Sequence, residues 1–183
     1  MPKIQIDGRV YIGLAIGLLF LPFSWLTAAI LAAGIHECCH LLAAKCCHVS
    51  CSYLRIDIGG AVMGMQSMDR REEAVIAMAG PCGSFLLVFF LHIWPQIAVC
   101  GLVQGIFNLL PVYPLDGGRI AYCMLGKRCV YLDILTCLCI LLAGITGTFG
   151  YGMGWMPLLL AVAIGGKVIQ RKFPCKAEKL GVQ

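Results

Sequence analysis

The sequence predicts an all-α integral membrane protein, and its composition carries that prediction. Of the 183 residues, 60% are hydrophobic and only 13% are charged, whereas a soluble domain carries about 25% charged residues. The mean hydropathy is +0.88, and the apolar residues form long runs of the length that membrane helices need. We therefore expect one transmembrane domain that extends over residues 1–183.

The basic residues predict how often the chain crosses the membrane, because cytosolic loops carry an excess of lysine and arginine. Six helices, with a break near Pro22, place all 14 basic residues on one side. Five helices would instead place loop 45–71, with four of them, outside the cell. We therefore predict six spans and cytosolic termini. The predicted spans are about 10–22, 24–44, 72–94, 96–111, 130–148 and 152–170.

The second predicted span contains the pattern H-E-x-x-H at His36, Glu37 and His40. Residues four apart share one face of a helix, so the two histidines can bind one metal ion together. Glu37 stands where a zinc hydrolase keeps its general base. Ionisable residues inside a span are costly and indicate function. His36 lies nine residues from Lys45, which places it roughly 13 Å below the cytosolic edge.

A second polar segment begins at the end of the fourth predicted span and reads N-L-L-P-V-Y-P-L-D-G-G-R over residues 108–119. Its prolines end the helix. Irregular backbone at membrane depth is tolerated only where it is buried in protein or lines a water-filled cavity. Catalytic zinc takes three protein ligands. Asp116 is therefore predicted to complete the set begun by His36 and His40. Asn108 is predicted to contact a ligand or a substrate amide, and the competing interpretation of Asp116 is a carboxylate paired with Arg119.

Two further segments have patterns of their own. Residues 52–67 read as two short strands around Gly59 and Gly60, a predicted membrane-associated β-hairpin between helices two and three. Its free edge could pair with an extended peptide, or the segment could be a packed loop. The small residues of A-G-P-C-G-S at 79–84 predict close helix packing.

The cysteines and the net charge indicate no separate function. The 12 cysteines lie in apolar runs or beside basic loops, which predicts reduced thiols used for packing rather than disulfides. The net charge of +5 is explained by the topology signals, so we expect the lipid bilayer as a partner and no nucleic acid.

At its two polar motifs the chain resembles the site-2 proteases, zinc intramembrane metalloproteases of peptidase family M50. It is most similar to the sporulation-type branch, which processes a membrane-tethered pro-sigma factor. The resemblance rests on His36, Glu37 and His40, on the N-x-x-P-x-x-P-x-D-G segment, and on A-G-P at 79–81. Ser84 departs from the family pattern, because many relatives have asparagine there.

The resemblance implies a zinc-dependent protease in the bacterial cell membrane, with a membrane-tethered protein as substrate and membrane inhibitors or other regulatory proteins as partners. It implies that His36, His40 and Asp116 bind Zn²⁺ and that Glu37 is catalytic. It further implies substrate binding by Asn108, Pro111, Gly59 and Gly60. Many sporulation-type relatives continue into a C-terminal CBS domain, which we do not expect here.

Two other functions are compatible with the pattern. Buried histidine, aspartate and cysteine in six spans could belong to a metal-ion carrier, although carriers usually have repeated halves with a site at the midplane. A catalytically inactive relative that only binds its substrate is the other alternative. The intact set of His36, Glu37, His40 and Asp116 argues against that alternative.

Overall fold

The structure is a computed structural model that describes residues 3–57, 60–65, 68–151, 155, 158–159, 161–162 and 165–166. It is mostly helical and contains one small sheet. Clustering of the backbone divides the chain into two compact units, Met1–Leu109 and Leu110–Gln183. The predicted sixth span, about 152–170, and the tail after it lie largely outside the described residues.

Among the described residues, four α-helices and three strands form the first unit. Helix α1 ends before Pro22 and α2 begins after it, because proline has no N–H to continue a helix and fixes its own φ. A short 3-10 helix at Leu87–Phe90 follows α3. The helices are α1 (Arg9–Phe20), α2 (Phe23–Cys46), α3 (Arg70–Leu86) and α4 (Pro95–Asn108); the strands are β1 (Lys3–Ile6), β2 (Cys51–Asp57) and β3 (Gly60–Met65).

Three helical stretches among the described residues are long and apolar enough to cross a membrane. They are Phe23–Cys46, Arg70–Phe90 and Cys129–Phe149. Helices α1 and α4 have 12 and 14 residues, which gives lengths of about 18 and 21 Å against a hydrocarbon core about 30 Å thick. The prediction of six spans therefore stays a prediction, with three of them supported by helix length.

Helix α2 buries one narrow stripe of side chains with a spacing of four residues. The stripe consists of small alanines and the two histidines, and residues at this spacing lie above one another on one helix face. Large apolar side chains on its other faces, such as Ile30, Leu31 and Leu42, are exposed. The buried stripe is Ala28, Ala32, His36, His40 and Ala44.

Helices α3 and α4 pack against α2 and against each other through small residues. An alanine Cβ at Gly101 of α4 would lie 2.7 Å from the carbonyl oxygen of Ser84, and one at Gly105 would lie 2.9 Å from the Phe85 ring. Such contacts are possible only without a side chain, so glycine sets the distance between the helices. Helix α3 continues through Pro81, which therefore does not break it.

The three strands form a sheet in the order β1-β2-β3. β2 and β3 pair antiparallel where the sequence predicted two strands, with Asp57 opposite Gly60. Gly59, which the sequence placed in the turn, lies outside the described residues, so the hairpin turn itself stays a prediction. The sequence did not predict β1, which pairs parallel to β2 from Lys3 opposite Tyr53; a four-residue strand is too short to have a recognisable periodicity.

The second unit contains a helix that the sequence did not predict. After an irregular segment that includes a cis peptide bond at Tyr113–Pro114, α5 runs from Asp116 to Leu125, and α6 runs from Cys129 to Ile145. The assignment of Gly117 and Gly118 to irregular backbone is therefore wrong. Gly118 is helical, and a Cβ there would lie 2.6 Å from the Val112 carbonyl oxygen, so close backbone approach explains the glycine.

We predict that Gly101→Ala destabilises the protein, because its methyl group would overlap the Ser84 carbonyl of α3. Overpacking of this kind costs about 1–3 kcal/mol. Thermal unfolding in detergent micelles measures the effect. Gly34→Ala on α2 is the matched control, since its Cβ would meet no described heavy atom within 4 Å. Equal melting temperatures for the two variants would contradict the packing described here.

Candidate active site

Helix α2 supplies the first part of the candidate site. His36 and His40 are 2% and 5% exposed, and both belong to its buried stripe. Their rings are nearly perpendicular, with an interplanar angle of 84° and centroids 4.8 Å apart. Glu37, one position after His36, is partly buried. The H-E-x-x-H pattern thus presents two imidazoles on the buried face of α2, with a carboxylate beside them.

Both histidines are held through Nδ1 by helix α3. Nδ1 of His40 lies 2.7 Å from the carbonyl oxygen of Ile76. A carbonyl oxygen only accepts hydrogen bonds, so this nitrogen carries the proton and donates it. Nδ1 of His36 lies 2.9 Å from the hydroxyl of Ser84. The two Nε2 atoms are then turned towards each other and lie 3.2 Å apart.

A glycine of α3 leaves the space in front of these nitrogens free. A Cβ at Gly80 would overlap Nε2 of His40 and would lie 2.8 Å from Nε2 of His36. Three residues further on, a Cβ at Gly83 would overlap the thiol of Cys39. The small residues of A-G-P-C-G-S, which the sequence assigned to helix packing, therefore also shape the site.

Asp116 joins the two histidines in a group of potential metal ligands, whose ligand atoms all lie within 4.8 Å of one another. All three residues are buried. Two nitrogens bound to zinc at about 2.0–2.1 Å in tetrahedral geometry lie roughly 3.3 Å apart, and the 3.2 Å between the Nε2 atoms fits that requirement. Two imidazoles and one carboxylate are a common ligand set of catalytic zinc.

Asp116 is the first residue of α5, and its immediate surroundings favour an ionised carboxylate. The N-terminus of a helix carries partial positive charge, which stabilises an anion in the first turn. The guanidinium of Arg119 lies 3.9 Å from Oδ1 of Asp116, as the competing interpretation of this residue proposed. A pair at that distance is weak, and an ionised Asp116 is also the form that binds a metal.

A buried carboxylate on α6 stabilises the segment that leads to Asp116. Asp133 is 2% exposed. Its Oδ1 accepts hydrogen bonds from the backbone N–H of Tyr113 at 3.2 Å and from the thiol of Cys129 at 3.7 Å. The thiol of Cys129 also lies 3.7 Å from the carbonyl oxygen of Gly118. Asp133 therefore links α6 to the irregular segment before α5.

The predicted substrate-binding residues occupy different elements. Asn108 is the last residue of α4, Pro111 lies in the segment that follows, and Gly60 is the first residue of β3. Gly59 lies outside the described residues. The sequence analysis did not predict the contacts of Ser84 and Gly80. The available signal was a hydroxyl four residues after a glycine in an otherwise apolar span.

Comparisons with known proteins show what this chain is similar to. The model of Peptidase family M50 matches residues 88–133. Zinc metalloprotease MJ0392 from Methanocaldococcus jannaschii is 34% identical over 113 residues, which are 54% of this chain and 33% of that protein. Rip3 from Mycobacterium tuberculosis is 31% identical over 122 residues, 56% of this chain and 30% of that protein. The matched segments thus span about a third of the relatives' length.

The fold has a solved counterpart. The site-2 protease from Methanocaldococcus jannaschii superposes with a TM-score of 0.67 at 20% sequence identity, covering 91% of this chain and 89% of that one. The chain thus has the fold of that protein and contains a buried group of two histidines and one aspartate that could hold a metal ion. The chain is therefore similar to the site-2 proteases and to the zinc metalloproteases of peptidase family M50. Zn²⁺ is the metal that fits its three ligands.

We predict that Gly80→Ala abolishes zinc binding, because its methyl group would occupy the space in front of both Nε2 atoms. Zinc content per chain after purification, measured by elemental mass spectrometry, checks this outcome. Gly34→Ala, which adds the same methyl group to α2 away from the site, should retain the wild-type content. A Gly80→Ala protein that keeps full zinc would show that this space is not where the ion binds.

We predict that Asp133→Leu destabilises the protein more than Asp133→Asn does. Leucine removes the acceptor of the Tyr113 N–H, and an unsatisfied buried donor costs about 1–3 kcal/mol. Asparagine keeps an oxygen at the same position. Thermal unfolding of the two variants in the same detergent provides the comparison. Indistinguishable melting temperatures would show that the hydrogen bond from Tyr113 contributes nothing to stability.

Proposed function

We propose that this chain is a zinc-dependent intramembrane endopeptidase that cleaves a membrane-tethered protein. The observation that carries the proposal is the group formed by His36, His40 and Asp116, with Glu37 next to the first histidine on an apolar helix. The names of the zinc metalloprotease relatives support it. The rest of the proposal follows from the chemistry that such a site can perform.

His36, His40 and Asp116 would hold the zinc ion. A bound zinc ion supplies Lewis acidity, which polarises a peptide carbonyl and makes water a better nucleophile. Glu37 accepts the proton of the attacking water and delivers it to the amine that leaves when the peptide bond breaks. General acid–base catalysis of this kind contributes about 10²–10⁴-fold to the rate. The buried setting excludes bulk water and strengthens these interactions.

For the membrane we propose six spans, with both termini in the cytosol of a bacterial cell. The exposed apolar side chains of α2 support a lipid environment around the histidine stripe. The position of the basic residues supports the orientation. The reaction would then take place within the membrane but close to the cytosolic surface. We propose a single catalytic domain for residues 1–183.

A helical substrate hides its carbonyls in hydrogen bonds, so it must become extended before cleavage. The sheet is a suitable partner for an extended segment, because β3 is at one end of the order β1-β2-β3 and an edge strand can pair with a peptide. Gly59 and Gly60 would form the turn beside that edge. Asn108 would bind a substrate amide, and Pro111 would shape the backbone near it.

The finer identity of the substrate is proposed from the resemblance to the sporulation-type branch. A membrane-tethered pro-sigma factor is the first substrate to test. In that branch membrane proteins restrain the protease, so we also propose a membrane inhibitor or another regulatory protein as a partner. The bilayer is the third partner.

We predict that Glu37→Gln abolishes cleavage and leaves zinc binding intact. Glutamine keeps the shape of the side chain but cannot accept the proton, so the cleavage rate should fall by at least about 100-fold. The wild-type chain and the variant are each coexpressed with a tagged, membrane-tethered pro-sigma factor. The shortened product is detected by immunoblot, and zinc is quantified in the purified proteins.

Glu73→Gln is the matched control, since it makes the same change in the first turn of α3 and should cleave normally. Full cleavage by zinc-loaded Glu37→Gln would refute the catalytic role of Glu37. If neither protein produces a fragment while both bind zinc, the pro-sigma factor is the wrong substrate. Zinc uptake into vesicles that contain the wild-type protein would then favour the metal-ion carrier.

A further inference from the structure

Helix α3 contacts His36 through the hydroxyl of Ser84 and His40 through the main-chain carbonyl of Ile76. The Ser84 hydroxyl has no role in the function proposed above. Ser84 is fully buried, with 0% of its surface exposed. Its Oγ lies 2.9 Å from Nδ1 of His36. We propose that Ser84 is a positioning residue, whose hydroxyl orients the His36 ring and keeps Nε2 available for the metal. This inference rests on the proposed zinc site.

A bound metal would determine whether His36 or Ser84 donates the hydrogen bond between them. The Ile76 carbonyl requires a proton on Nδ1 of His40, so in the neutral ring Nε2 of His40 carries a lone pair. A hydroxyl is less restrictive, because it donates as well as accepts. A metal ion bound by both Nε2 atoms needs the lone pair of each. The proton of His36 must then be on Nδ1, and it is donated to Oγ of Ser84.

Ser84 is itself held in place by the packing of α3. Its carbonyl oxygen lies so close to Gly101 of α4 that a Cβ there would be 2.7 Å away. Gly83, the preceding residue, is in equally close contact with Cys39 of α2. The backbone that carries the hydroxyl is therefore held close to both neighbouring helices. A fixed acceptor restricts rotation of the imidazole, which lowers the entropy lost when the metal binds.

Loss of this hydroxyl should weaken the metal site without removing a ligand. In Ser84→Ala the Nδ1–H of His36 loses its acceptor at a position that solvent does not reach. The ring is then free to turn, or to carry its proton on Nε2 where the metal should bind. Removal of such partners of metal ligands typically lowers metal affinity or activity by about 10–100-fold.

The first test measures zinc affinity by competition with a chromogenic chelator, in purified full-length protein. Ser84→Ala should bind zinc about 10–100-fold more weakly than wild type. Thr27→Val is the matched control, because it also removes a hydroxyl, one that donates to the Ser24 carbonyl of α2 at 3.0 Å. Its affinity should equal that of wild type. Wild-type affinity in Ser84→Ala would overturn the inference.

The second test follows the His36 proton directly, by ¹⁵N NMR of protein labelled at histidine. The chain has four histidines, and only His36 and His40 are buried, whereas His48 and His92 are exposed. In the zinc-loaded wild type both buried Nδ1–H groups should give slowly exchanging signals. Ser84→Ala should shift or broaden the His36 signal and retain that of His40, which also shows that the variant is folded.

The two tests separate this inference from the proposed function. A wild-type protein that binds no zinc would refute the metal site, and the role of Ser84 with it. A wild-type protein that binds zinc, together with a Ser84→Ala protein whose His36 signal is unchanged, would refute the positioning role alone. Equal losses of zinc affinity in Ser84→Ala and Thr27→Val would also refute the positioning role, because loss of any hydroxyl would then weaken zinc binding.

Discussion

The close contact between α2 and α3 is the constraint on which the candidate site depends. A side chain larger than glycine at position 80 would overlap the imidazoles, so the two histidines can be buried only because α3 has no side chain there. The same contact brings the Ile76 carbonyl and the Ser84 hydroxyl within hydrogen-bonding distance of the rings. In a membrane the hydrophobic effect does not drive helices together, so close packing and hydrogen bonds take its place.

The second unit holds a carboxylate at the start of a helix, directly after an irregular segment. Backbone groups freed from regular structure need other partners inside a membrane protein. Asp133 supplies one by accepting the Tyr113 N–H, and Gly118 allows α5 to approach that segment. Each unit thus presents its ligands on a helix that is stabilised by contacts within the same unit.

The sequence predicted the helices α2, α3 and α6 because long apolar runs with prolines between them have few other interpretations. It also predicted His36, His40 and Asp116 as one group of potential ligands, since ionisable residues inside a span indicate function and catalytic zinc takes three protein ligands. It did not predict α5, because two glycines after a proline-rich segment read as irregular backbone. It did not predict the contacts of Gly80 and Ser84 either, because these depend on the register of α3 against α2, which no local pattern encodes.

The two histidines differ in how their hydrogen-bond partners can change during evolution. Every amino acid has a main-chain carbonyl, so no substitution at position 76 removes the acceptor of His40. The hydrogen-bond partner of His36 is a side-chain hydroxyl, which a single nucleotide change in a serine codon can eliminate. Heritable variation can therefore alter the ring orientation of His36 through its partner, whereas His40 is protected from such variation by the backbone itself.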